Sequence, residues 1–137
     1  MATIISIETT IKAPVKKVWE YWTAPQHILQ WNHASDDWHC PAAINDVKEG
    51  GTFSITMAAK DGSFRFVFGG VYEAVKEYER LEYTITDGRK VQVLFTARDN
   101  ETKVMENFEA ETTHPIAMQQ SGWQSILNNF KIYTENN

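Results

Sequence analysis

Cysteine is almost missing from the 137-residue chain: Cys40 stands alone, so no disulfide can form within the molecule. Glycine and proline are few, 7 and 4, and they do not gather into a linker or a low-complexity tract. No positive charge is in excess, since 13 Lys and Arg face 18 Asp and Glu, for a net charge of −5. The basic residues are scattered, which argues against nucleic acid and anionic membrane surfaces as partners. No apolar run approaches the ~20 residues that cross a bilayer, so membrane insertion is not expected. The opening MATIISIETT lacks the basic and apolar regions of a signal peptide. These absences together point to a reducing, cytoplasmic setting.

What the sequence does have is material for a core: 42% of residues are hydrophobic and 12% aromatic. A chain of this length buries roughly two-thirds of its unfolded surface. Disorder is thereby excluded, and one domain over residues 1–137 is expected, without internal repeats.

The β-branched run Thr3 to Lys12, with Ile5, Ile7, Thr9 and Ile11 on one parity, predicts a first strand. Pro14 then precedes Val15, Val18, Trp19 and Trp22 at helical spacing, and Pro25 opens a second short helix with Ile28, Leu29 and Trp31 on one face. Asn32 to Glu49 reads as irregular. From Gly51 the period becomes two for about 60 residues, the signature of an antiparallel meander. Asp61-Gly62, Asp87-Gly88 and Asp99-Asn100 supply its turns. Gly69-Gly70 reads as a bulge that bends one long strand. After Pro115 a last helix is predicted, with Ile116, Trp123, Ile126, Leu127, Phe130 and Tyr133 on its apolar stripe. Such an order has few compact solutions: a curved sheet with one apolar face must wrap the terminal helix.

Several segments carry a resemblance. APVKKVWEYWTAPQHILQW, NDVKEGGTFSITM, GGVYEAVKEYERLEYT and the later Gly122-Trp123 are similar, in that order and over nearly the whole chain, to the SRPBCC or START-like superfamily. They most resemble the branch named for the heat-shock-protein-90 ATPase activator. Glu77-Tyr78-Glu79 departs from it, standing where many relatives carry prolines. The resemblance implies an α+β helix-grip fold, also called START-like or birch-pollen-allergen-like. In it a curved antiparallel sheet of six to seven strands wraps a long C-terminal helix, with two short helices after strand one. It also implies an elongated apolar cavity, which family members use variously to bind lipids, hormones or polyketides, to catalyse cyclisation or hydrolysis, or to touch a chaperone. Fold therefore leaves function open.

The aromatic residues exceed what a small core requires, so they either pack or line a cavity. Phe53, Met57, Phe66, Tyr72 and Trp123 are the foremost candidates for lining, from strand centres and the first half of the helix. Trp22, Trp31, Phe68 and Tyr83 complete the aromatic set. Glu106 is the most informative polar residue, because it shares parity with Val104, Phe108 and Ala110 and should point inward. It could anchor a ligand or act as a general acid or base; a register error would instead turn it to solvent. Gln119 and Gln120 interrupt the terminal stripe near its start, as would suit a cavity mouth, though simple exposure is the expectation for both.

His33, Asp36, Asp37, His39 and Cys40 match no closed zinc spacing, so no metal and no cofactor are expected. No catalytic triad or nucleotide loop is evident. The leading expectation is non-catalytic binding of a small, largely apolar molecule. A cyclase- or hydrolase-like enzyme and a protein-interaction domain remain alternatives, chaperone contact resting on family analogy alone. Homodimerisation stays open.

Overall fold

The computed structural model describes residues 2–137. Strand β1 (Ile4–Ile11) leads into helices α1 (Val15–Thr23) and α2 (Pro25–Trp31). Strands β2 (Trp38–Asn45), β3 (Thr52–Ala59), β4 (Arg65–Lys76), β5 (Arg80–Ile85), β6 (Lys90–Arg98) and β7 (Glu101–Glu109) follow as a meander, and α3 (Ile116–Asn136) ends the chain. All seven strands form one antiparallel sheet in the order β1-β7-β6-β5-β4-β3-β2. The sheet curls as a half-barrel around α3, the helix-grip architecture. No helix among the described residues is long and apolar enough to cross a membrane.

Each strand's alternation decides which face is buried. Ile5, Ile7 and Ile11 of β1, Leu81 and Tyr83 of β5, Val91, Val93 and Phe95 of β6, and Val104, Glu106 and Phe108 of β7 all point inward and are buried. Leu127 and Phe130 of α3 meet them at 1% and 0% exposure. At the α1–α2 end the packing is aromatic: Trp22 and Trp31 both meet Phe130 edge-on at 4.9 and 4.8 Å, and Trp19 meets Phe95 at 5.1 Å. Edge-to-face rings of this kind add to the ~1.5–3 kcal/mol that burying each large apolar side chain contributes.

Helix α3 also protects the free edge of β1. Alternate carbonyls of that strand point away from β7, and the helix reaches three of them. Gln120 Nε2 donates to Ser6 O, Gln124 Nε2 to Glu8 O and Lys131 Nζ to Thr10 O, at 3.2, 3.3 and 2.6 Å. An open strand edge is thereby capped by side chains rather than by another strand.

Four expectations need correction. Asn32 to Glu49 is not wholly irregular, since β2 lies within it. This edge strand contains Pro41 and slips register between His39 and Ala42, so it shows no clean alternation. The bulge falls at Glu73, between Tyr72 and Ala74, while pairing runs regularly across Gly69-Gly70. Those glycines serve close approach instead: a Cβ on Gly70 would lie 2.8 Å from the Phe53 ring and 2.6 Å from Thr84 O. Ile116, the first residue of α3, is 45% exposed and so lies off the buried stripe. Gln119 is buried, unlike the exposed Gln120. Its amide accepts from Glu111 N and donates to Glu111 O and His114 O, which fixes the β7–α3 connection.

Candidate functional site

Pairing between strands sets two inward rows. One runs Ile5, Phe108, Val91, Tyr83, Tyr72 across five strands; the next runs Ile7, Glu106, Val93, Leu81. Tyr83 and Glu106 therefore share the concave face, two strands apart across β6 and one two-residue step apart along the strands. Phe53 lies across Gly70 and fills the angle between Tyr83 and Tyr72, with ring centroids at 4.9 and 5.3 Å. From the opposite side Trp123 stacks flat on Phe108 at 3.8 Å and meets Phe68 edge-on at 5.9 Å. The indole thus bridges β7 and β4 over a space the side chains leave unfilled.

That space is a cavity of about 260 Å³. Trp22, Trp31, Phe53, Met57, Phe66, Phe68, Tyr72, Tyr83, Glu106 and Trp123 all line it. Phe66, 41% exposed, marks where it reaches the surface. Trp38 and Phe64 pack against Phe66 at 5.9 and 6.2 Å and form an aromatic lip there.

The polar groups in the wall differ in how they are held. Tyr72 donates to Asn45 Oδ1 at 2.6 Å, and Asn45 Nδ2 donates to Thr23 O at 2.8 Å, so this hydroxyl is tied to the end of α1. Burial pushes the Tyr72 phenol up from its ordinary value. Tyr83 is raised by burial first, then by the nearby Glu106 and Tyr72. Glu106 is 6% exposed and meets neither a cation nor a hydrogen-bond donor among the described residues. Burial alone raises its carboxyl to about 8, so at neutral pH it is mostly the uncharged acid. Arg89 stands at the wall, but its Nε donates to Asp87 Oδ2 at 2.8 Å and its Nη1 to Glu109 O at 3.1 Å.

A second depression of about 550 Å³ lies on the outer face of the sheet. Its side chains are paired among themselves, Lys90 with Glu73, Gln92 with Glu82 and Asn107 with Gln92. It offers a ladder of satisfied polar groups rather than a binding cavity. Among the described residues no three His, Cys, Asp or Glu side chains converge as a metal cluster. Cys40 is buried, and burial pushes its thiol up, away from the reactive thiolate.

Comparison with known proteins bears on the whole arrangement. The family described as Activator of Hsp90 ATPase homolog 1-like protein matches residues 12–135. The chain belongs to that family. Among solved structures it is similar to an AHSA1-like protein of Aeromonas hydrophila, with 46% identity and a TM-score of 0.92, covering 98% of this chain and 93% of that one. A protein of Cytophaga hutchinsonii is 57% identical with a TM-score of 0.83, covering 97% and 92%. A Chromobacterium violaceum protein, 19% identical with a TM-score of 0.87 over 98% and 99% of the chains, shares the fold. No curated protein matches.

In this activator-like family member, several wall residues escape sequence reasoning. Asn45 sits on the strand that shows no alternation, and Arg89 sits in a turn. Asn32 ends α2, where an Asn reads as a helix stop. Ile28, Ile55 and Ile126 are legible as apolar positions but not as cavity wall.

Proposed function

We propose that this chain binds a small, largely apolar molecule in the cavity between the concave sheet and α3, without transforming it. The observation that carries this reading is the hollow itself. Interiors are close-packed and rarely hold voids larger than a water molecule. Here about 260 Å³ stays open beside a region where Phe130 and Leu127 are fully packed. A void of that size, walled by aromatic rings and reached at Phe66, suits an apolar guest. Since an apolar cavity of roughly 150 Å³ takes benzene, this one has room for on the order of ten non-hydrogen atoms.

The test uses the five tryptophans as reporters. Titration with naphthalene should shift the indole N–H resonances of Trp22, Trp31 and Trp123, which line the cavity, and leave that of Trp19 in place. Met57→Trp, which fills the hollow, should weaken binding at least tenfold. Uniform shifts, or none, would remove the reading. Mass spectrometry of molecules retained through purification supplies a candidate ligand.

The near-neutral titration of Glu106 favours one alternative, acid–base chemistry on the bound molecule. The two readings part in heavy water. Glu106-dependent deuterium uptake next to the carbonyl of a bound ketone, lost in Glu106→Gln, means catalysis; uptake at the background rate fits binding alone.

A further inference from the structure

The cavity's polar groups fall into two kinds. Tyr72, Asn45 and Arg89 direct theirs to the chain itself. Glu106, Tyr83 and Asn32 do not. They are 6%, 7% and 7% exposed, they line the cavity, and none of their side-chain polar groups bonds to another described residue. Their polar atoms are not among the fully enclosed unmatched ones, which are His33 Nδ1 and Thr134 Oγ1, so they open onto the cavity instead of being sealed from it. Three polar groups that open onto one apolar hollow, with no partner among the described residues, favour a guest with complementary polar atoms.

Their placement gives that guest a length. Gln124 of α3 reaches Glu8 O, and Glu106 pairs with Ile7, so Glu106 lies near the level of Trp123 along the helix. Asn32 lies further on, since Asn129 donates to the carbonyl of the adjacent His33. Six helical residues span roughly 9 Å at 1.5 Å each. Glu106 and Tyr83 therefore serve one end of the hollow and Asn32 the other.

Their chemistry gives it a charge. A carboxyl buried without a cation keeps its proton and donates, as does the Tyr83 hydroxyl on the same concave face. The charged or titratable groups that share the cavity wall with Glu106 are Tyr83 from β5, Tyr72 from β4 and Arg89 from the turn before β6. The facing residues of α2 and α3, Ile28, Trp31, Trp123 and Ile126, do not titrate. Arg89 already meets the Asp87 carboxylate through Nε and the Glu109 backbone carbonyl through Nη1, so an anionic head group would have to compete with Asp87 for its charge.

We propose that the cavity selects an uncharged, mostly apolar chain of on the order of ten heavy atoms, with a carbonyl oxygen held by Glu106 and Tyr83 and a distal hydroxyl held by Asn32. This assignment rests on the binding reading above and adds the ligand class.

Three probes of similar length test it by calorimetry on the full chain: 2-decanone, 10-hydroxy-2-decanone and decanoate. At pH 7 the hydroxyketone should bind more tightly than the ketone, and decanoate at least tenfold more weakly than either. Asn32→Leu should abolish the advantage of the hydroxyketone, and Glu106→Leu should weaken both ketones. Ketone affinity should fall roughly tenfold between pH 7 and pH 9, as the donor-competent fraction of Glu106 falls. Glu106→Gln keeps an N–H donor but cannot ionise, so it should retain ketone binding at pH 7 and lose the pH dependence; it decides the matter if the Leu variant does not fold. Decanoate binding as tightly as 2-decanone, or a ketone pH profile unchanged by Glu106→Gln, would overturn this inference while leaving apolar binding intact. If naphthalene also fails to shift the cavity indoles, the binding reading itself falls.

Discussion

A carboxyl group that meets neither cation nor donor, as at Glu106, makes the folded state sensitive to pH in a particular direction. Its proton is released near 8 when folded and near 4.5 when unfolded, so between those values the folded chain binds more protons. The stabilisation is complete below about pH 4.5, is lost as pH rises toward 8, and is flat above that. Glu106→Gln removes the titration. Urea midpoints of the two proteins should therefore diverge from pH 5 to pH 8, with the variant gaining on the order of a few kcal/mol by pH 9. Glu135 acts in another window: bonds from Lys131 and from the Lys12 amide hold its carboxyl below the ordinary range, so its contribution is lost only on acidification. Parallel midpoints across pH 5–9 would show that Glu106 is hydrated or paired in solution. Tyr72 is a second residue-scale case. Its bond to Asn45 ties β4 to β2 and α1, so Tyr72→Phe should lower stability by about 1–2 kcal/mol in denaturant titration.

At the scale of elements, β3 and β4 owe their close packing to a missing side chain. Phe53 can lie over Gly70 only because no Cβ stands there, and its ring then walls the cavity against Tyr83. In Gly70→Ala the added carbon meets both a backbone oxygen and the ring, so one of them must move. The expected outcome is a loss of about 1–3 kcal/mol, the usual range for overpacking, with a shifted Phe53 ring in the nuclear Overhauser spectrum. Gly69→Ala meets Phe53 O at 3.2 Å and Thr86 Cγ2 at an ordinary 3.6 Å, and should be milder. Equal losses at the two positions would mean that strand pairing, rather than the ring, is what the glycines protect.

For the molecule as a whole, the interior is unevenly filled. The end near α1 and α2 is dense with edge-on rings around Phe130, whereas the centre of the sheet faces a hollow. Truncations should follow that contrast. Phe130→Ala, at 0% exposure, should cost about 3–5 kcal/mol. Phe66→Ala, at 41% exposure on the cavity's rim, should cost under about 1 kcal/mol while weakening ligand retention. Thermal melts read the first effect and probe titration the second. If both variants lost equal stability, the rim would be part of the packed core.

Much of this was legible from residue order. The parity of Ile5, Ile7 and Ile11, the alternation after Gly51, the Asp-Gly turns and the stripe through Leu127 and Phe130 are local patterns, set by backbone periods that neighbours in sequence reveal. Parity likewise turned Glu106 inward. Strand β2 carried no such pattern, because an edge strand with Pro41 and a register slip is held by its partner rather than by its own residues. Only the tertiary structure decided which polar groups would be matched. Tyr72 found Asn45 from 27 positions away, while Tyr83, Glu106 and Asn32 converged on one hollow without partners. Whether a buried hydroxyl or carboxyl is satisfied depends on distances between remote segments, and these exist only once the sheet has curled around its helix.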